Sequence, residues 1–341
     1  MKKIFLALAA VAALAACTKS EAQYDDVQNE ISFAPVTKNI TKAMVTDNTF
    51  PTSESFMVWG WYKQLPNGTS IKNWQNANDI ENQWYINEKP FIHQNGTTWK
   101  GQTAYYWPKL GSILFAGYYP TSLEGNVTYE FENFSDGGAN KMVFNGIYQA
   151  NVTENGYSED IMYFNMTGVS SSAGPVAVIF RHALSWITVN VKKTVGSPKI
   201  VINEIKFTKV NDKGTGTVDN SAANNEIVWE TVGNSDAVTV FGTNVELDTE
   251  NYKLVEPLFI PQIMNGELVI NYTIYSSPSE YFTETYTAKL NSFQTSEAAS
   301  MTKWEPAKHY TYNIEIGTSE ILITPTVQTW DNVTVPVTSL K

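Results

Sequence analysis

Three histidines and one adjacent pair of acids are the residues of this sequence best suited to metal binding or catalysis. His93, His182 and His309 lie far apart, and none has a second ligand residue at the spacing of a metal site. Glu159 and Asp160 are neighbours whose side chains would point to opposite faces of a strand, and we expect both to be solvated. The sequence contains no nucleophile elbow, zinc-helix motif or phosphate-binding glycine loop. It therefore predicts no catalytic, metal or cofactor site, and a hydrolase is the least favoured class.

A different chemistry is indicated by Cys17, the only cysteine of the chain. It follows an apolar run, Ile4 to Ala16, that begins after two lysines, which is the pattern of a secretory signal at residues 1–16 and is too short to span a bilayer. The residues Leu14-Ala15-Ala16-Cys17 resemble the lipobox of bacterial lipoproteins. The resemblance implies cleavage between Ala16 and Cys17 and acylation of the Cys17 thiol. The alternative is an ordinary signal with an incidental free thiol, which is unusual because exported cysteines normally pair.

The composition restricts both the partners and the sources of stability. The net charge is -11 and Arg181 is the only arginine, so nucleic acid is a poor partner, because phosphate binding needs clustered Lys and Arg. A single cysteine allows no internal disulfide, so stability must come from packing and sheet hydrogen bonds. Aromatic residues make up 13% of the chain, and together with many Thr, Val and Ile residues they favour strands over helices.

Strand patterns recur along the chain after a polar, aperiodic segment at 18–30 that we expect to be a flexible tether. Apolar and polar residues alternate at 187–191, 268–274 and 310–316, which is the period of half-buried strands. Turn signals such as Asn265-Gly266 separate these runs, as is typical of antiparallel sandwiches. The stretch from Gly168 to Pro175 is the best linker. The sequence therefore predicts an all-β protein with two antiparallel β-sandwich domains in tandem, at 43–172 and 173–341.

Aromatic clusters precede the predicted linker and allow two interpretations. One cluster contains Trp59, Trp61 and Tyr62, and others surround Trp99 and Phe115. Exposed rings in rows stack on sugar faces, whereas buried rings fill the core between sheets, which is the commoner fate of alternating aromatics. We favour core packing and keep glycan binding as the alternative.

Five segments of the chain carry a family resemblance. They are Trp99 with Tyr105-Tyr106-Trp107-Pro108, Leu114-Phe115-Ala116-Gly117-Tyr118-Tyr119-Pro120, Phe180 to Val189, Trp304 with Tyr310 to Ile314, and Ile323-Thr324-Pro325 with Trp330. In this order and spacing they resemble the fimbrillin family, the type V pilins of anaerobic gut and oral bacteria. Together with the lipobox, the resemblance spans nearly the whole chain.

The resemblance implies a two-domain, transthyretin-like β protein that is lipid-anchored to the outer membrane through Cys17 and assembled into cell-surface fimbriae. In the family, the subunit's own N-terminal strand fills a groove until a protease removes it, and a neighbour's strand then takes its place. Here the removable strand is Ile31 to Val36, within a lipidated tether at 17–42. Lys42-Ala43 stands in the place of the family's cleavage site, with Lys38 second. Some members are cut after arginine, which this chain lacks near its N-terminus.

The implied partners are other fimbrial subunits, the membrane, a maturation protease and a host or bacterial surface ligand, with no cofactor and no catalysis. The terminal segment Val333 to Leu340 has apolar residues at alternate positions, so it either inserts into a partner or completes its own domain. Two functions follow from the sequence. The leading one is a structural or adhesive fimbrial subunit, and the alternative is a monomeric outer-membrane lipoprotein that binds glycans through exposed aromatics.

Overall fold

The computed structural model describes residues 29–36, 39–41, 44–46, 50–63, 83–108, 112–130, 140–148, 159–169, 174–219, 226–233, 237–250, 252–293, 301–318 and 320–329. These residues form strands, turns and two short 3-10 helices at Thr121–Leu123 and Leu290–Ser292. In this part of the chain, no helix has the length and apolar character needed to cross a membrane. The prediction of an all-β protein is confirmed.

The strands are numbered in chain order. Those before residue 183 are β1 (Ser32–Val36), β2 (Asn39–Thr41), β3 (Met44–Thr46), β4 (Ser55–Lys63), β5 (Gln83–Asn95), β6 (Thr98–Gly101), β7 (Ser112–Tyr119), β8 (Val127–Glu130), β9 (Lys141–Tyr148), β10 (Met162–Val169), β11 (Val176–Ile179) and β12 (Arg181–His182). Those after it are β13 (Ser185–Lys193), β14 (Lys199–Thr208), β15 (Lys213–Asp219), β16 (Ile227–Val232), β17 (Val238–Phe241), β18 (Val245–Glu246), β19 (Tyr252–Val255), β20 (Leu258–Phe259), β21 (Gln262–Ile263), β22 (Glu267–Ser277), β23 (Glu280–Lys289), β24 (Lys303–Trp304), β25 (Lys308–Ile316) and β26 (Ile321–Thr329).

The largest sheet has eight strands in the order β11-β1-β6-β5-β4-β7-β10-β12. It curves around its own core, because the ring centroid of Phe33 on β1 lies 6.0 Å from that of Phe164 on β10, although four strands separate β1 from β10 in the sheet order. Strand alternation turns one face of β4 and β7 inward, where Phe56 and Phe115 are fully buried. The inward side chains of this sheet form one apolar cluster.

A second sheet, in the order β16-β15-β9-β8, covers the outer face of β4 and β7. Met57 and Tyr118 point away from the first core and pack with Met142 and Phe144 of β9 in a separate apolar cluster. β15 pairs with β9 in an antiparallel ladder. β15 and β16, which follow residue 172, thus extend a sheet that begins with β8 and β9, which precede it. The division of the chain into domains at 43–172 and 173–341 stays a prediction.

The remaining strands form a two-sheet sandwich. One sheet has the order β19-β13-β25-β26 with β20 beside β13, and the other has the order β17-β14-β22-β23 with β18 beside β14. Both contribute to one core, where Ile187 of β13, Ile202 of β14, Ile270 of β22 and Tyr312 of β25 are buried. The β13–β25 and β1–β11 ladders are parallel, and the other ladders of the described residues are antiparallel.

The strands that the alternation of apolar and polar residues predicts are present in the structure. The runs at 187–191, 268–274 and 310–316 fall in β13, β22 and β25, and their apolar positions face the sandwich core. Two small sheets, β2-β3 and β21-β24, stand apart from the larger ones.

Candidate functional site

The strand that the sequence identifies as removable, β1, is an internal strand of the eight-stranded sheet. It runs antiparallel to β6, with Phe33 opposite Trp99, and parallel to β11, with Phe33 opposite Val176 and Val36 opposite Ile179. Removing β1 would part β6 from β11 and leave two unpaired strand edges. The space that β1 fills between β6 and β11, with the core side chains beneath it, is called the β1 groove.

Phe33 anchors β1 in this groove. Its side chain is fully buried, and its ring centroid lies 5.0 Å from those of Phe91 and Phe115, in edge-to-face geometry. Phe56 and Phe164 complete the site at centroid distances of 6.1 and 6.0 Å. Edge-to-face pairs contribute about 0.5–1.5 kcal/mol each beyond area burial. The groove therefore favours a strand with a large aromatic residue at this position.

The backbone of β1 alternates between its two neighbours. The N–H of Ile31 donates to the carbonyl oxygen of Tyr105 at 2.7 Å, on the β6 side, whereas the carbonyl oxygen of Val36 accepts from the N–H of Phe180 at 3.1 Å, on the β11 side. Odd-numbered residues of β1 thus direct their backbone groups toward β6. Pro35 has no N–H to donate, but the register places it opposite the position just before β6 begins. The proline therefore costs no ladder hydrogen bond.

Charged and polar groups contribute little to holding β1. Lys100 of β6 forms an ion pair with Glu30, and both side chains are partly exposed, so the pair contributes at most about 1 kcal/mol. Burial, with a smaller contribution from Tyr85, raises the pKa of the Tyr105 phenol, which therefore stays neutral at physiological pH. The apolar contacts of the groove are the main attachment of β1.

A cavity of about 910 Å³ opens where β11 ends. Phe180, which bonds to the carboxyl end of β1, lines this cavity together with Trp229, Trp304 and Thr329. Thr329 is the last residue of β26. The cavity is thus lined both by Phe180, whose N–H donates to the last residue of β1, and by Thr329, the last residue of β26.

Several residues that the sequence assigns to the assembly route lie outside the described residues. They are Ala16, Cys17, Lys38, Lys42, Ala43 and Val333 to Leu340. β2 and β3 flank the Lys42-Ala43 bond in the sequence and pair only with each other among the described strands, with Thr41 opposite Met44. Lipidation, cleavage and strand donation stay predictions.

The two adjacent acids have different environments. Glu159 is exposed and accepts a hydrogen bond from Ser122 Oγ at 3.1 Å. Asp160 is buried, and its Oδ2 lies 2.8 Å from Nδ1 of buried His182. The expectation that both acids are solvated is therefore wrong for Asp160. Neighbouring residues on an extended chain point to opposite sides, and here one of the two sides is the protein interior.

The other two histidines each contact an adjacent protein group. A ring nitrogen of His93 lies 3.0 Å from the carbonyl oxygen of Gly96, and His309 stacks on Trp186 with 3.6 Å between ring centroids. Burial, helped by the positive charge of Lys253, lowers the pKa of His309 to about 4. The described part of the chain holds no cluster of three metal-binding side chains.

Most of the aromatic clusters belong to the cores. Trp59, Trp99, Phe115 and Tyr118 are buried, whereas Tyr106 is 40% exposed. The preference for core packing over an exposed sugar-binding row is confirmed for the four buried residues.

The sequence identifies β1 but not the residues that receive it. Phe91, Phe115 and Phe164 lie on three different strands, and contacts between strands far apart in sequence leave no periodic signal. The parallel partner β11 was likewise missed. The one signal present was the alternation of Ile31, Phe33 and Pro35, which marks the inward face of β1.

Comparisons with known proteins agree with the fold. The family model described as fimbrillin-like matches residues 41–330, and no curated protein sequence matches the chain. A fimbrial protein from Bacteroides vulgatus superposes with a TM-score of 0.60 at 15% identity, covering 89% of this chain and 100% of that one. A candidate cell adhesion protein from Bacteroides ovatus gives a TM-score of 0.51 at 14% identity, covering 90% and 99%. At such identities the two structures show a shared fold.

Proposed function

The chain belongs to the fimbrillin-like family, and from this membership we propose that it is a structural or adhesive subunit of a cell-surface fimbria, without catalytic activity. The proposal includes export as a lipoprotein anchored through Cys17, proteolytic maturation, and polymerisation by strand exchange. The observation that carries it is β1, a five-residue strand that separates two strand edges and fills an aromatic site.

Three apolar side chains supply most of the attachment of β1 to its groove. Ile31, Phe33 and Pro35 are buried. Burial of each such side chain is worth about 1.5–3 kcal/mol, or roughly 5–9 kcal/mol for the three before ordering costs. A strand held this tightly leaves slowly by itself. Exchange therefore requires both the loss of its covalent link and a competing strand.

Cleavage between Lys42 and Ala43 is the proposed loss of that link. β2 and β3, on either side of the bond, lie in a small sheet separate from the β1 sheet, so the cut interrupts no ladder of the larger sheet. The released segment 17–42 contains Cys17 and β1. One cut thus frees the subunit from the membrane and lets β1 leave its groove, whereas an anchor subunit would keep both.

The segment Val333 to Leu340 is the proposed donor strand. Its alternate valines at 333, 335 and 337 have the same period as the inward residues of β1. Thr329, the residue before segment 330–341, lines the cavity next to the end of β11. Since Val333 to Leu340 has no aromatic residue, a valine in the Phe33 site leaves part of the site unfilled, at a cost in stability. The Val335→Phe variant is therefore expected to bind the vacated groove more tightly.

The proposal is tested by brief digestion with a lysine-specific protease, followed by N-terminal sequencing, unheated denaturing gels and electron microscopy. We expect a new N-terminus at Ala43 and then ladders of SDS-resistant multimers. The Lys38→Gln/Lys42→Gln double variant should remain uncut between β1 and Ala43 and stay monomeric, and Lys38→Gln alone is the matched control that should be cut after Lys42 and assemble like the unmodified chain. Shed material that begins at Cys17 or far beyond Ala43, or ladders formed by the uncut double variant, would contradict the proposal.

The alternative function, a monomeric glycan-binding lipoprotein, lacks support from the tryptophans proposed for it. Trp59 and Trp99 are buried in two separate cores. A glycan receptor would keep one size after proteolysis and would be retarded in a gel that contains polysaccharide, so the same preparations distinguish the two functions.

A further inference from the structure

The outer edge of β23 is a second strand edge suited to a partner, and it is fully formed in the monomer. β23 pairs with β22 along one side and stands at the end of its sheet, and none of the described strands pairs with its other side. Tyr281 is 65% exposed and Phe282 is 48% exposed. A long exposed edge of this kind is a template for another strand.

Several other sheet edges are short or contain proline, whereas β23 is long and uninterrupted and carries three charged residues, Glu280, Glu284 and Lys289. β26 contains Pro325 near its middle, while β8, β17 and β19 have four residues each. β23 has ten residues without proline or glycine, and its register with β22 is regular from Tyr281 to Lys289. Edge strands in monomers are normally short, bulged or interrupted. The regular edge of β23 therefore points to a binding partner.

A hydrogen bond of Leu290, the residue after β23, shows which residues of β23 direct their backbone groups toward β22. The N–H of Leu290 donates to the carbonyl oxygen of Gly266, on the β22 side, at 2.9 Å. Because this direction alternates along a strand, even-numbered residues of β23 face β22. The odd-numbered residues present their N–H and C=O groups at the free edge.

We propose that two copies of this chain pair their β23 strands antiparallel, about a twofold axis at Thr285. In this register Thr285 lies opposite its own copy, Thr283 opposite Thr287, and Tyr281 opposite Lys289. Each pair joins two odd-numbered residues, so every N–H and C=O group that points outward from 281 to 289 gains a partner. The two sandwiches then share one continuous sheet.

Charge selects this register over its nearest competitor. An axis at Glu284 gives the same overlap but places two carboxylates opposite each other, in the non-hydrogen-bonded pair where Cα atoms are only about 4.5 Å apart. Like charges in that position destabilise a sheet. With the axis at Thr285, Glu284 instead lies opposite Tyr286, and Lys289 approaches the exposed ring of Tyr281, a favourable cation–π arrangement.

The partner is therefore a second copy of the chain, and the contact does not depend on cleavage or on the β1 groove. One strand pair buries little area, so we expect a weak dimer that forms at high protein concentration. Between two polymers the contact would repeat along their length, and its strength would increase through avidity.

Disulfide trapping tests the register directly. Thr285→Cys is introduced into a chain that also carries Cys17→Ser, so that residue 285 holds the only thiol. Cα atoms of a hydrogen-bonded antiparallel pair are about 5.5 Å apart, which a disulfide spans. We expect oxidised dimers. Thr287→Cys in the same background is the matched control and should stay monomeric, because its two copies would be more than about 13 Å apart.

Sedimentation equilibrium gives an independent measurement. Thr285→Lys should raise the dimer dissociation constant by about tenfold or more, since two ammonium groups would face each other at the axis. Thr324→Lys, at an exposed position of β26, should leave it unchanged, and circular dichroism verifies that both variants are folded. A chain that stays monomeric up to its solubility limit overturns the proposal. Equal disulfide trapping at 285 and 287 also overturns it.

Discussion

Replacing Phe33 with alanine tests whether β1 is an integral strand of the eight-stranded sheet. Phe33 is fully buried and has four phenylalanine rings at centroid distances from 5.0 to 6.1 Å. Buried Phe→Ala substitutions cost about 3–5 kcal/mol, because transfer free energy is lost and a cavity remains. The walls of this cavity come from β4, β5, β7 and β10, which are fixed by their own ladders. We therefore expect little collapse and a cost in the upper half of the range.

The effect should be confined to the part of the molecule around β1, because the two-sheet sandwich that contains β13, β14, β22 and β25 has a separate core. Amide hydrogen exchange measured by mass spectrometry resolves this difference. Phe33→Ala should lower protection in β6 and β11 by roughly 10³-fold or more, while β25 keeps its protection. Tyr252→Ala is the control, since Tyr252 is 54% exposed and its loss should change stability by about 0.5 kcal/mol or less.

Two results would refute parts of this reasoning. A loss of less than about 1 kcal/mol in Phe33→Ala, in the range of ordinary surface substitutions, would show that β1 is not a buried strand and would remove the basis for strand exchange. An equal loss of protection in β25 would leave β1 in place but refute the separation of the cores.

Two further predictions concern packing and pH. Gly117→Ala should lower the melting temperature by at least about 5 °C, because an added Cβ would overlap the ring of Phe164, whereas Gly174→Ala, with no atom within 4 Å of its Cβ, should melt like the unmodified protein. Stability should fall as the pH drops from 6.5 toward 4, because the pKa of His309 differs between the folded and unfolded chain. Burial, helped by the charge of Lys253, lowers this pKa to about 4 in the folded state from its ordinary value of 6.5. The unfolded chain then binds more protons in this window, and the loss should reach about 1–2 kcal/mol after allowance for partial exposure. Urea denaturation across this pH range should show a smaller slope for His309→Gln, and an unchanged slope would assign the pH dependence to other groups.

The sequence predicts where the strands of this protein lie better than it predicts which strands pair with each other. Alternation identified β13, β22 and β25 because each has one face on a core, and the position of a residue on a strand decides which face it occupies. It also favoured burial of the aromatic clusters, which holds for Trp59 and Trp99. These are local properties, and each follows from the order of neighbouring residues.

The pairing of strands in the sheets is a different kind of information. The parallel pairing of β1 with β11 and the position of β15 beside β9 join strands far apart in the chain. No local pattern encodes such pairs, because loop closure and packing of the whole sheet decide them. The same reason explains why Phe33 was placed on a strand while its site, which is built from four other strands, was not anticipated.

The two proposed contacts differ in what controls them. The edges of β6 and β11 are covered by β1 in the intact chain, so a partner strand reaches them only after proteolysis and only by replacing contacts worth several kcal/mol. The edge of β23 needs no such replacement, and its occupancy depends on concentration alone. On the proposed route, growth by strand exchange would be limited by maturation, while pairing through β23 would become effective only where many copies are already held close together. The proposed filament would supply this condition, since its neighbouring subunits would present their β23 edges at fixed spacing and high local concentration.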